Sequence, residues 1–224
     1  MTDSDQPRFH ADFSDQTGIF NPDTFAETLT VIGCGGIGAS ALPTLVTMGF
    51  KRYVLWDDDV VEPRNIASQL LFKPSDLYRP KVEVAREYLL AYGATHVDIQ
   101  KRKFTADDEP EGVVISGVDS MTARKEIWPA IKSSTTALYL DGRIGSEHMT
   151  LLTVEPFDAD WYEDRWLFDS KKASTLPCTQ RAIVYPAVAL GAWMASHIAM
   201  WSRGVIPPHR VDQNLGSHYF QVVR

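Results

Sequence analysis

Residues 29–59 read LTVIGCGGIGASALPTLVTMGFKRYVLWDDD, and this stretch decides the fold. An apolar run gives a strand, a glycine-rich bend follows, an apolar-periodic stretch gives a helix over 36–49, and residues 53–56 give a second strand that ends in acids. Gly33 permits a tight turn. Gly35 and Gly36 let backbone N–H groups approach a phosphate with no Cβ in the way, and Gly38 lets the helix lie close on the strand. The helix N-terminus adds unsatisfied N–H donors and a partial positive charge. Asp57 follows Gly33 by 24 positions, the place of an acid that accepts a hydrogen bond from a ribose hydroxyl. The plainer alternative is a strand–helix turn that carries glycine for its backbone alone. The unit does not choose its nucleotide, because NAD-dependent oxidoreductases use the same one.

Composition narrows the class. The chain has 224 residues, 44% of them hydrophobic, which suits a single globular unit over 1–224. The net charge of −7, from 22 basic and 29 acidic residues, disfavours nucleic-acid binding driven by overall charge. The opening MTDSDQP has no apolar leader, and the longest apolar run, residues 187–195, is too short to span a bilayer. A soluble, cytoplasmic protein without a membrane partner is expected. Two cysteines, Cys34 and Cys178, rule out a four-cysteine zinc site within one chain. The six histidines show no metal-ligand spacing.

The pattern along the chain predicts an α/β, Rossmann-like, doubly wound fold with a mostly parallel sheet and helices on both faces. Residues 1–28 read as an irregular lead-in with a short helix at 23–27. Pro43 perturbs the first long helix, and Gly49 caps it. Residues 62–75 read as a loop, 80–92 and 124–133 as helices, and 97–100, 113–116, 137–140 and 149–154 as strands. Residues 155–177, acidic and aromatic, read as a long mobile surface loop, with Trp161 and Trp166 either gripping a partner or simply packed. The C-terminal part, 178–224, holds a buried helix over 181–201, kinked near Pro186, and a strand over 218–223.

Five pieces stand in order: GCGGIG at 33–38, DDDVVEPRNIASQ at 57–69, RPKVEVA at 79–85, GVDSMTAR at 117–124, and PCT at 177–179 before a late helix. Together they make the chain resemble the ThiF/MoeB/HesA family, bacterial relatives of ubiquitin-activating enzymes. The resemblance is close over 29–155 and looser over 176–201. It implies an ATP-dependent adenylyltransferase that activates the C-terminal carboxylate of a small ubiquitin-like or sulfur-carrier protein, and a homodimer. It also implies roles for residues. Gly33, Gly35, Gly36 and Gly38 face the phosphates, and Asp57 holds the ribose. Asp59, Asn65 and Gln69 lie near ribose and phosphates, Lys81 contacts phosphate, and Asp119 coordinates Mg²⁺, an ion held by one or two carboxylates plus phosphate oxygens. Read from the residues alone, the plainer alternatives are that Asp57, Asp58 and Asp59 are solvated turn acids, Lys81 a surface lysine at a helix start, and Asp119 an N-cap.

The chain departs from the family pattern. Ser68 stands where an arginine usually precedes the glutamine, and Ser14, Asp15 and Gln16 stand where the lead-in usually carries another; Arg8 and Arg64 are nearby in sequence. The family's zinc cysteines are missing, so no zinc is expected. Cys34 reads as a small residue that fits its turn. Cys178 has two readings: a nucleophile that takes the activated carboxylate as a thioester, its thiol acidified at a helix N-terminus, or a capping or buried cysteine. Three functions stay open: the adenylyltransferase, an NAD-dependent oxidoreductase, and a catalytically reduced scaffold that binds nucleotide or partner.

Overall fold

The computed structural model describes residues 11–168 and 183–224. Its strands are β1 Leu29–Ile32, β2 Arg52–Trp56, β3 His96–Gln100, β4 Val113–Ser116, β5 Leu138–Gly145, β6 His148–Val154, β7 Arg210–Asn214 and β8 Tyr219–Val223. Its helices are α1 Gly38–Thr47, α2 Pro63–Ile66, α3 Lys81–Ala91, α4 Met121–Ser133, α5 Ala159–Trp166 and α6 Val184–Trp201. One sheet joins all eight strands in the order β3-β2-β1-β4-β5-β6-β7-β8. The strands from β3 to β5 are parallel, and β6, β7 and β8 extend the sheet antiparallel. This is the doubly wound, mostly parallel sheet that the strand–helix alternation predicts.

Helices cover both faces. Residues of α1, α3 and α6 share one apolar core with Leu29, Val31, Val113 and Ile115 of the central strands. Residues of α4 and α5 share the other with Ile32, Val114 and Tyr139. Strand order reverses at β1, between β2 and β4, which opens a crevice at the strands' carboxyl ends. Ile32, Trp56, Ser116 and Asp141 stand in register there and mark the crest of the sheet.

Local chemistry sets the element ends. Gly49 adopts φ +95°, Phe50 N–H donates to Leu45 O and Gly49 N–H to Val46 O, so the expected cap is a Schellman motif. The helix α1 continues through Pro43. Ser120 caps α4, its hydroxyl accepting from Ala123 N–H at 3.1 Å, so the helix starts three residues before the expected Arg124 and the capping role belongs to Ser120 rather than Asp119. On α6, Gly191 has no room for a side chain: a Cβ there would lie 2.9 Å from the Cα of Ala41 in α1.

Several expectations are corrected. Residues 23–27 form no helix; Asn21 Oδ1 accepts from Asp23 N–H and holds a turn, while a 3-10 turn occupies Ser14–Gln16. The loop at 62–75 contains α2, closed by a reciprocal pair of bonds between Glu62 and Asn65, and a 3-10 turn at Pro74–Asp76. The predicted long loop is α5 over 159–166, because Tyr162 buries its ring under the sheet; residues 169–177 lie outside the described residues. Pro186 falls in the first turn of α6, where its missing N–H has no helical partner to lose, so it forces no kink. The strand β7 went unread in the sequence. No helix among the described residues is long and apolar enough to cross a membrane.

Buried His197 on α6 gives the fold a pH dependence. Its Nδ1 lies 2.7 Å from Thr153 Oγ1 on β6, and burial pushes its pKa down to about 4. The unfolded chain, with an ordinary value near 6.5, takes the proton first. Stability is therefore full above about pH 6.5 and falls as pH drops toward about 4, by about 3 kcal/mol in all. His197→Gln is expected to flatten urea-unfolding stability between about pH 6.5 and about pH 5, where few carboxylates titrate. An unchanged slope in that variant would refute the assignment.

Candidate functional site

The bend after β1 is squeezed between its neighbours. Gly33 N–H donates to Trp56 O at 2.8 Å, and Gly117 N–H donates to Ile32 O at 2.9 Å. Gly33 takes φ +94°, and a Cβ there would lie 3.1 Å from the carbonyl of Gly117. At Gly38 a Cβ would lie 2.2 Å from Gly33 O, so the start of α1 rests directly on the end of β1. Gly35 and Gly36 differ: nothing lies within 4 Å of where a Cβ would be. The N–H groups of Gly35, Gly36, Ile37 and Gly38 donate to no backbone acceptor among the described residues, while Ala39 N–H closes the first turn on Gly35 O at 2.7 Å. Open amides at the start of a ten-residue helix suit an anion such as a phosphate.

The acids stand beside this bend. Cys34 N–H donates to Asp57 Oδ2 at 2.7 Å, and Asp59 N–H donates to Asp57 Oδ1 at 2.8 Å. Asp57 thus fixes the bend and its own loop together, and each oxygen keeps lone-pair capacity for a further donor such as a ribose hydroxyl. Burial pushes the Asp57 carboxyl above the usual carboxylate range, while Lys81 and the two N–H donors pull the other way. Carboxylate oxygens of Asp57, Asp58 and Asp59 lie within 4.8 Å of one another, so a cation fits among them.

Lys81, the first residue of α3, brings a buried cation to the same place. Its Nζ sits 2.6 Å from Asp59 Oδ2, its side chain 6% exposed against 65% for the acid. Lys81 N–H also donates to Asp59 O at 3.0 Å, and a bridge between Val60 and Pro80 ties the two segments. The resemblance set Asn65 near ribose and phosphates; its Oδ1 accepts from Glu62 N–H at 2.8 Å and builds the loop. Gln69 carries a buried Oε1 with no protein partner among the described residues, an acceptor that a ligand donor or water would satisfy. Asp119 is exposed at the crest, three residues past β4. Ser68 donates to Arg64 O at 3.0 Å, and Arg64 itself extends into solvent beside Glu62. Cys34 is fully buried, which pushes its thiol well above its ordinary value and makes it a poor nucleophile. Cys178 and Arg8 lie outside the described residues.

One cluster was not foreseen. Asp141, at the crest of β5, is completely buried and accepts from Arg124 Nε at 2.8 Å, Arg143 Nε at 2.8 Å and Tyr162 OH at 2.9 Å. Arg124 also donates to Gly142 O, and Arg143 to Trp166 O. This carboxylate binds α4, α5 and β5 into one unit behind the crevice. The signal was present in the sequence as an Asp and an Arg inside the otherwise apolar run LYLDGRIG.

Comparisons with known proteins agree with this geometry. A family profile described as the ThiF family matches residues 24–215. The sulfur carrier protein ThiS adenylyltransferase of Escherichia coli (strain K12) is 28% identical over 169 residues, covering 71% of this chain and 65% of that protein. The NEDD8-activating enzyme E1 catalytic subunit of Dictyostelium discoideum is 30% identical over 127 residues, covering 54% of this chain and 28% of its own length. Among solved structures, PaaA superposes with TM-score 0.69 at 17% identity, covering 87% of this chain and 62% of that one. E. coli MccB with ATP superposes with TM-score 0.67 at 15% identity, covering 92% and 65%. The chain thus spans less than two thirds of the length of each of these relatives, and the two structural likenesses bear on the fold alone.

Proposed function

The chain belongs to the ThiF family, and from that premise we propose that it is an ATP-dependent adenylyltransferase acting on the C-terminal carboxylate of a small ubiquitin-like or sulfur-carrier protein. One observation carries the reading. The bend that carries the open amides of residues 35–38 is bonded to Asp57, Asp57 to Asp59, and Asp59 to the buried Lys81, so phosphate donors, an acid and a cation sit side by side. An oxidoreductase using the same bend for NAD leaves the Lys81–Asp59 pair and Asp119 without work. A relative named as a ThiS adenylyltransferase supports the same choice.

In the reaction, a carboxylate oxygen of the partner attacks the α-phosphorus of ATP. The new P–O bond forms as the bond to the bridging oxygen breaks, pyrophosphate leaves, and the acyl-adenylate remains. Donors aimed at phosphate oxygens lower this barrier where charge moves onto the leaving group. The amides of residues 35–38 and the start of α1 receive the phosphates, Asp57 orients the ribose, and Lys81 offers positive charge. A magnesium ion held by Asp119 and phosphate oxygens would supply further neutralisation; the exposed carboxylate at the crest fits that role. Cys178 is the candidate acceptor of the acyl group as a thioester. The protein acts in the cytoplasm as a homodimer.

The test is isothermal titration with ATP·Mg and with NAD, followed by ATP–pyrophosphate exchange with a carrier protein ending in Gly-Gly. Binding of ATP·Mg, and exchange that Asp119→Ala abolishes, are expected. Tight NAD binding without ATP binding overturns the reading. ATP binding without exchange for any carboxylate partner points to the scaffold, in keeping with Ser68 and Asp15 in the arginine positions.

A further inference from the structure

One buried acid, Asp141, faces two guanidinium groups, and among the described residues no second acid pairs with either Arg124 or Arg143. Its third donor, the Tyr162 hydroxyl, is neutral, because burial pushes that phenol far above its ordinary value. The cluster therefore keeps a surplus positive charge. Arg143 is the outer of the two cations, its side chain 15% exposed against 6% for Arg124. It stands on β5 two residues past the crest, on the same face as Asp141. Its Nε donates to Asp141 Oδ2 at 2.8 Å and its Nη2 to Trp166 O at 2.9 Å, while Nη1 bonds to no group among the described residues. The rings of Trp166 and Phe168, with centroids 5.7 and 5.8 Å from the guanidinium carbon, help to fix the group. Gly142, between Asp141 and Arg143, packs on the glycine bend: a Cβ there would lie 3.1 Å from Ile37 Cγ2. Arg143 thus follows directly on a contact with the bend, on its β5 side.

We propose that Arg143 Nη1 receives the partner's C-terminal carboxylate and holds it for attack on ATP. The inference rests on the adenylyltransferase reading and deepens it. In-line displacement requires the attacking oxygen and the departing pyrophosphate on opposite sides of the α-phosphorus. Lys81, offered to the pyrophosphate, stands beside Asp59 just past β2, whereas Arg143 is on β5, and β1 with its bend lies between these two strands. The incoming carboxylate therefore belongs on the β5 side. A guanidinium suits a carboxylate, and one already fixed by Asp141 and two rings loses little freedom on binding it. With one carboxylate oxygen on Nη1, the other forms the new P–O bond. The bond to the bridging oxygen breaks and its electron pair leaves with pyrophosphate. The oxygen held by Arg143 becomes the carbonyl oxygen of the acyl-adenylate, and no proton moves.

The test uses a carrier protein ending in Gly-Gly that supports exchange in wild type. It is titrated as the free acid and as the C-terminal amide, in the presence of magnesium and α,β-methylene ATP, from which pyrophosphate cannot leave. Wild type is expected to bind the acid about 10- to 100-fold more tightly than the amide, the worth of a charged hydrogen bond. Arg143→Lys keeps a positive charge beside Asp141 but loses the fork. It is expected to bind acid and amide alike, both as wild type binds the amide, with ATP·Mg affinity unchanged. A purely structural role for Arg143 would instead weaken acid and amide together. That result, a wild type indifferent to the amide, an acid preference that survives in Arg143→Lys, or a loss of ATP·Mg affinity in its place would overturn this inference alone. Exchange with no carrier in wild type would overturn the adenylyltransferase reading and this inference with it.

Discussion

Asp141→Ala is expected to cost about 3–5 kcal/mol of stability, read as a fall in the urea midpoint. The reason lies in what it leaves behind. Arg124 and Arg143 both direct guanidinium groups at this carboxylate, which is completely buried. Removing the acid strands two cations, and Arg124 has no route to water without pulling α4 away from β5. Tyr162→Phe removes only one hydroxyl that donates to Asp141, so its cost should be about 1 kcal/mol. The ratio between the two is the diagnostic. If Asp141→Ala behaves like Tyr162→Phe, the cluster is not what joins α4, α5 and β5. If it is far more damaging, the cluster sets the position of Ser120 and the crest residue Asp119 before it, because α4 is anchored through Arg124.

The same cluster shows where sequence reading reaches its limit. The glycine bend was legible because each glycine answers a separate steric demand within a few residues: the turn at Gly33, the close approach at Gly38, the open space at Gly35 and Gly36. The Schellman cap at Gly49 was legible for the same reason. Asp141 was not, since beside its strand neighbour Arg143 its donors are Arg124 on α4 and Tyr162 on α5, elements well separated from β5 in sequence. The helix α5 was hidden likewise. ADWYEDRW has weak periodicity, and one buried tyrosine with Lys132 paired to Asp160 and Glu163 holds it in place. The strand β7, RVDQN, lacks apolar alternation because only Val211 enters the core. Its backbone is held by β6 on one side and β8 on the other, and that pairing leaves no mark on its composition. At the site, Asp57 was nameable from its spacing after the glycine bend, and Asp59 and Lys81 only through the family resemblance. That Asp57 is bonded to the bend, and Lys81 to Asp59, required the crossing of the segments around residues 57–61 and 78–81.

Lys81→Ala is expected to separate function from stability in the opposite sense to Asp141→Ala. ATP·Mg affinity should fall about 10- to 100-fold, the worth of a hydrogen bond from a charged donor to phosphate. Exchange should fall further, by about 10²–10³-fold, if Lys81 acts where charge develops on the departing pyrophosphate. The fold should lose little. Asp59, the group left unpaired, has a side chain 65% exposed and relaxes into water, unlike the arginines around Asp141. Its loss resembles that of a surface ion pair, about 1 kcal/mol or less, plus the packing of the lysine stem. Lys81→Arg adds a control. It keeps the charge but replaces a compact ammonium with a broad fork at a site with little free space, so it should restore affinity only in part. Unchanged ATP binding in Lys81→Ala would leave the lysine as a structural partner of Asp59 alone. A folded variant that no longer binds ATP would assign the buried cation to the phosphates, with Asp59 holding it ready in the absence of nucleotide.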